Sequence, residues 1–219
     1  MFVIEALNKE NVPGPECPWG QWFKYDVDSA KKYAKVFESG ELIAITEKIH
    51  GCQMKITFID GQFYVSSKGN YWKKDVEGCV WWNAFHYAVD LKEFLYDHPG
   101  YQILGECYGQ VQKGYNYGVT KEQRSRFAAF DIVKPDGKYL NVTEFLKLTE
   151  EWGIHTVPFI KTNHPYNLDE IKEICEQDST LCPGQIQEGV IIKPMEERWD
   201  RGIGRVMLKL VSNRYYMKD

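Results

Sequence analysis

An α+β fold built mainly of antiparallel sheets follows from three observations on the sequence. Short strand-like runs outnumber helical ones, several are joined by tight turns, and the helices do not alternate with strands as a parallel sheet requires. One hairpin is explicit: residues 53–59 and 62–66 flank Asp60-Gly61, a pair that tolerates the positive φ angles of a two-residue turn.

The remaining elements follow in order. Residues 1–27 are broken by Pro13, Gly14, Pro15, Pro18 and Gly20 and carry Trp19, Trp22 and Phe23 as apolar anchors, so they read as a packed arm. A helix is expected over 28–39, capped by Asp28 and closed by Gly40, with Ala30, Tyr33, Ala34 and Phe37 on one stripe. It leads into an apolar strand, Leu42 to Ile45, that ends near Lys48. Residues 80–97 place Trp81, Phe85, Ala88, Val89, Leu91 and Leu95 at helical spacing and stop before Pro99-Gly100. Further strands are expected at 101–107, 127–133, 154–160, 187–193 and 205–211, and helices at 143–152 and 168–177, the second with Asn167 and Glu170 as a capping box.

Composition narrows the class. The chain has 219 residues, enough for one domain with an ordered core, and a formal net charge of -4, which excludes binding of nucleic acid by bulk charge. No run approaches the roughly 18 apolar residues of a membrane span, and the N-terminus lacks a signal-peptide layout, so an intracellular, cytoplasmic protein with no membrane partner is expected. Six cysteines without a CxxC pair indicate neither a zinc knuckle nor a disulfide framework.

Lys48 stands where a strand runs into Gly51, within Thr46-Glu47-Lys48-Ile49-His50-Gly51. A nucleophilic lysine needs burial or cationic neighbours to lose its proton near neutral pH. Apolar residues precede Lys48, and Lys193 and Lys209 arrive on later strands as candidate cations. A lone Lys-x-x-Gly is a chance pattern by roughly ten to one. Here five further motifs follow in order: Ser66-Ser67-Lys68; Gly105-Glu106-Cys107-Tyr108-Gly109; Phe127-Ala128-Ala129-Phe130-Asp131-Ile132; Glu188-Gly189-Val190-Ile191-Ile192-Lys193; and Val206 through Asn213 with Lys209.

With these motifs the chain resembles the covalent nucleotidyltransferases, the superfamily of ATP-dependent RNA and DNA ligases and mRNA capping enzymes, over about Thr46 to Lys218. It is most similar to the RNA ligases, through Glu-Lys-x-His-Gly and the run from Gly105 to Gly118. The resemblance implies a nucleotidyltransferase fold, mainly antiparallel sheets with flanking helices and the nucleotide bound between them. It implies a single adenylyltransferase domain over 1–219, with 1–40 an arm and helix leading in. Only ten residues follow Lys209, so no C-terminal OB domain is expected.

The resemblance also assigns roles. Lys48 attacks the α-phosphate of ATP and carries AMP, with Lys193 and Lys209 as cations over that phosphate and His50 beside the leaving pyrophosphate or the metal waters. Glu47, Gly51, Lys68, Glu106, Phe130 and Glu188 complete the nucleotide site, Phe130 by stacking on adenine. Glu106 and Glu188 hold Mg²⁺ or Mn²⁺, partly through water. The implied activity is ATP-dependent RNA ligation by a monomer, joining a 5′-phosphate to a 3′-hydroxyl on single strands, a duplex or an RNA/DNA hybrid. Lys113, Lys121, Arg124, Arg126, Arg201, Arg205 and Arg214 are candidate grips on RNA.

The chain departs from the family pattern twice. Lys68 replaces an arginine, and Val211 replaces the second lysine of a Lys-x-Lys, for which Arg205 or Lys218 is a candidate substitute. DNA ligation, capping-type guanylyl transfer and a non-catalytic nucleotide- or RNA-binding descendant are the competing readings.

Overall fold

The computed structural model describes residues 10–217. Its chain order is β1 (Asp28–Ser29), α1 (Ala30–Tyr33), β2 (Leu42–Glu47), β3 (Cys52–Ile59), β4 (Gln62–Ser67), α2 (Val80–Tyr87), α3 (Val89–Asp97), β5 (Gln102–Gly109) and β6 (Ser125–Val133). Then come α4 (Val142–Glu151), β7 (Phe159–Pro165), α5 (Leu168–Cys175), β8 (Gly189–Pro194), β9 (Trp199–Asp200), β10 (Gly204–Arg205), β11 (Leu208–Val211) and α6 (Asn213–Tyr216). The mixed α+β class with antiparallel sheets is as the sequence predicts.

The chain divides into two compact units. One holds the described residues up to Tyr25, Gly51–Leu140 and Phe145–Thr156; the other holds Asp26–His50, Asn141–Glu144 and the chain from Val157 onward. The described part of the segment 1–40, read from the sequence as an arm and helix, thus contributes to both.

The first unit is a four-stranded antiparallel sheet in the order β4-β3-β5-β6. Its hairpin turns at Asp60 (φ 52°) and Gly61 (φ 75°), both in the left-handed region as expected. Met54 and Ile56 alternate with Lys55 and Thr57 along β3, and all four are buried. Helices α2 and α3 cover one face with Trp81, Phe85, Leu91 and Phe94. The arm meets the Lys55 side, where the Lys55 ammonium donates to Phe23 O at 3.4 Å and to Asn70 Oδ1, whose amide donates to Trp22 O at 3.2 Å.

In the second unit a five-stranded sheet runs β1-β11-β8-β2-β7, antiparallel except for the short β1–β11 pair. Ile43, Ile45, Val190, Ile192, Leu208 and Leu210 project from one face and form a core with Ile171, Ile174 and Cys175 of α5. By the two-residue alternation of strands, Ala44, Thr46, Ile191, Lys193, Lys209 and Val211 project from the other.

Several boundaries differ from the sequence reading, each for a local reason. Asp28 pairs with Leu208 instead of capping a helix, and the helix shrinks to Ala30–Tyr33 followed by one 3₁₀ turn. The helix expected over 80–97 breaks at Ala88 (φ −94°, ψ 71°), a position with neither glycine nor proline, and each half buries its own apolar residues, Trp81 and Phe85 in α2, Leu91 and Phe94 in α3. The strand expected at 154–160 begins instead after Pro158, which has no N–H to give to a ladder. Arg205 leaves the last strand for the β9–β10 ribbon. Asn167 does cap α5, accepting from the Asp169 and Glu170 amides at 3.1 and 3.4 Å, but the Glu170 carboxylate stands 3.0 Å from His164 Nε2 rather than closing the box.

Candidate active site

In the second unit the sheet register places three lysines on one face at successive same-side rungs. Lys193 lies opposite Ala44, and Lys209 lies across Ile191 from Thr46. Lys48 follows the end of β2, its N–H donating to Gly189 O at 2.9 Å. That last rung is tight: a Cβ on Gly189 (φ 156°) would meet Leu210 O at 2.1 Å and Val211 Cα at 2.9 Å, so only glycine lets β8 and β11 approach this closely.

The Lys48 ammonium contacts Glu188 Oε1 at 2.6 Å, with the side chains 25 % and 11 % exposed. His50 Nδ1 is 3.2 Å from Glu188 Oε2, and the Tyr215 hydroxyl lies 3.3 Å from the same nitrogen. Burial pulls the Glu188 carboxyl upward, but the hydrogen bond from His50 and the charge of Lys48 outweigh it and hold the group below the usual glutamate range. The sequence reading gave Lys48 cationic neighbours; in the structure its contact is an anion.

Glu47 projects to the opposite side of the strand and is 1 % exposed. Its carboxylate accepts from Ser179 Oγ at 2.6 Å and from the Thr180 and Leu181 amides at 2.8 and 3.1 Å. Only its backbone is left to meet a ligand. Neither this loop nor Tyr215 was singled out in the sequence. Tyr215 had a local signal, since Ser212 caps α6 by accepting from the Tyr215 amide at 3.4 Å, and Glu176 holds the same turn through Ser212 Oγ and the Asn213 amide at 2.9 and 2.8 Å.

Gly51, Lys68, Glu106 and Phe130 belong to the first unit. A Cβ on Gly51 would meet Cys107 O at 2.2 Å, so β5 can run past it only because it is glycine. Glu106 is half-buried on β5, opposite Gln53 and Ala128. Phe130 occupies a bulge: Leu104 pairs with Asp131 and Gly105 with Ala129, which leaves Phe130 as the extra residue and re-aims its ring. The ring stands 4.7 Å from that of Tyr25, whose hydroxyl donates to Asp131. Lys68 is exposed in the turn after β4.

The candidate RNA contacts sort themselves by partner. Arg205 is bound to Glu197, Nε to Oε2 at 2.7 Å, so it is no substitute for a lysine at 211; Lys218 lies outside the described residues. Arg214 pairs with Asp178 at 2.9 Å. Lys113, Lys121, Arg124 and Arg201 are exposed.

The sequence profile of the RNA ligase family matches residues 41–211, from the start of β2 to the end of β11. The chain belongs to the RNA ligase family. No curated protein matches it. Among solved structures it is similar to an RNA ligase variant from Naegleria gruberi with ATP and manganese, at TM-score 0.75 and 18% identity over 90% of this chain and 58% of that one. It is also similar to an apo variant from the same organism, at TM-score 0.79 and 19% identity over 97% and 61%, and to the ligase with pyrophosphate, at TM-score 0.75 and 19% identity over 90% and 58%. At these identities the likeness is one of fold. The chain spans about three fifths of the length of those ligases.

Proposed function

We propose that this chain is an ATP-dependent RNA ligase that works through Lys48-AMP. The observation that carries the reading is the lysine face of the second sheet, with Lys48 at its end in contact with Glu188, which His50 also contacts. The neutral Lys48 amine attacks the α-phosphorus of ATP, a P–N bond forms, and the bond to the β-phosphate breaks to release pyrophosphate. The 5′-phosphate of RNA then displaces the lysine. A 3′-hydroxyl finally attacks that phosphate, releasing AMP and closing the phosphodiester. Lys193 and Lys209 are fixed charges suited to the α-phosphate oxygens. Phe130 is assigned to the adenine and Gly51, Lys68 and the Glu47 backbone to the nucleotide, as the family resemblance implies.

Glu188 suits a divalent cation in kind: it is a carboxylate kept charged, with hard oxygen donors. Among the described residues no group of three or more His, Cys, Asp or Glu side chains is placed to hold a metal ion; Mg²⁺ keeps most of its waters and takes one or two carboxylates. Glu188 and Glu106 would hold it, and it would supply charge neutralisation at the phosphates. Glu188 already serves Lys48, so loading a cation on that carboxylate and freeing the amine are coupled.

Incubation with α-labelled ATP, GTP or NAD followed by denaturing electrophoresis tests the first step. Label from ATP alone, abolished by Lys48→Ala and by chelator and restored by Mg²⁺ or Mn²⁺, is expected. Label from GTP instead, or a Lys48→Ala protein that labels normally, refutes the mechanism. Sealing of 5′-phosphorylated RNA is scored separately.

A further inference from the structure

A cavity of about 140 Å³ opens at the β6 edge of the first unit's sheet, and the reaction proposed above uses none of its side chains. Its polar groups are Tyr87, Asp90, Tyr108, Arg126 and His155. Tyr108 and Arg126 are cross-strand partners on β5 and β6, and Tyr108 lies two residues from Glu106 on the same side of β5, about 7 Å along the strand. The Arg126 guanidinium sits 3.8 Å from the centre of the Tyr87 ring and is fixed by donating to Ser125 O and Gln123 O at 3.0 and 3.2 Å. Tyr87 itself is 51 % exposed. The Tyr108 hydroxyl faces His155 Nε2 at 3.3 Å, and burial lowers the His155 pKa, which keeps the ring neutral.

These groups select a ligand by chemistry. One guanidinium, one carboxylate and a neutral hydroxyl–imidazole pair sum to no net charge, so this is not a phosphate cradle. A cavity near 150 Å³ takes one six-membered ring. An aromatic–guanidinium rim is a stacking surface for unpaired bases, and RNA is read mostly through bases splayed out of helices. We propose that the pocket holds one unpaired pyrimidine of the RNA strand, stacked at the Tyr87–Arg126 rim with its polar edge toward Tyr108, His155 and Asp90. The proposal rests on the RNA ligase reading and names where part of the substrate binds.

Binding of fluorescent, 5′-phosphorylated single-stranded RNAs, followed by anisotropy, tests it. The strands are oligouridine, oligoadenosine, and oligouridine with one abasic site moved along its length. Tyr87→Ala, a change at an exposed side chain, is expected to weaken oligouridine binding about ten-fold, to leave binding unchanged for the strand whose abasic site falls in the pocket, and to take label from ATP at the parental rate. Tyr108→Phe is expected to shrink the preference for uridine over adenosine. Parental affinity of Tyr87→Ala for every strand, equal effects on uridine and adenosine strands, or no RNA binding by the parent overturns the pocket. If the parent takes no label yet Tyr87→Ala still weakens oligouridine binding, the ligase mechanism fails and the pocket stands.

Discussion

Truncating Glu47 tests how the strand that carries Lys48 is held. Its carboxylate accepts three hydrogen bonds from the 179–181 segment, and bonds to a charged group are worth about 1.5–3 kcal/mol each. Thr180 is exposed and Leu181 half-exposed, so water can serve their amides after truncation, whereas Ser179 is 2 % exposed and loses its acceptor inside the protein. Glu47→Ala is therefore expected to cost about 2–4 kcal/mol rather than the full sum. Glu47→Gln keeps the shape and one oxygen for the two amides, and Ser179 can turn its hydroxyl to accept from the new NH₂, so about 1–2 kcal/mol is expected. Urea unfolding followed by circular dichroism gives both values, and hydrogen exchange at Thr180 and Leu181 shows whether the loss is local. A Glu47→Ala protein within about 0.5 kcal/mol of the parent, with unchanged exchange there, refutes the reasoning.

Other positions give sharper single readouts. Gly189→Ala puts a methyl 2.1 Å from Leu210 O and should destabilise by about 2–3 kcal/mol, seen as a lower melting temperature. Burial lowers the Lys55 ammonium to about 8, below its unfolded value. The unfolded chain therefore binds more protons at this site between pH 8 and about 10.5, and stability should rise with pH across that window, by at most about 1.4 kcal/mol per unit. The difference between parent and Lys55→Met, measured by urea unfolding at each pH, isolates this term; a difference that stays constant with pH sinks the assignment. Glu176→Ala removes the acceptor of the Ser212 hydroxyl and the Asn213 amide and should cost about 1–2 kcal/mol, with faster exchange in 212–216.

Much of the fold was written locally. Asp60-Gly61 specified its turn through two residues that accept positive φ, and Asn167 specified a helix start. What escaped was set by tertiary contact. Nothing local to β3 announces that Lys55 and Thr57 are fully buried; Lys55 meets arm residues and Thr57 meets Tyr101 O, both distant in sequence. Asp28 looked like a cap and became a strand because β11 offered it an edge. At the site, motif order identified Lys48, Glu188 and His50, which do come together. It could not show that Glu188 answers Lys48 with negative charge, nor that Glu47 faces away from it. Those are consequences of rung register and strand alternation, quantities absent until the strands are paired.

Register also gives the Val211 departure its meaning. Gly189 bonds to Lys48 through its carbonyl oxygen and pairs with Val211, so residues 48 and 211 flank a residue that can carry no side chain. A lysine at 211 would stand on the rung of Lys48, two strand spacings or about 10 Å away across the sheet. With valine there the rung adds no second cation, and Lys48 keeps as its charged contact Glu188, which His50 meets through the other oxygen. Within β2, β8 and β11 the cations on that face are then Lys209 and Lys193, one and two same-side rungs distant in that order. In the proposed reaction the charge developing on the α-phosphate falls to those two lysines and to a divalent cation, and the carboxylate best suited to that cation is the one Lys48 must leave in order to react.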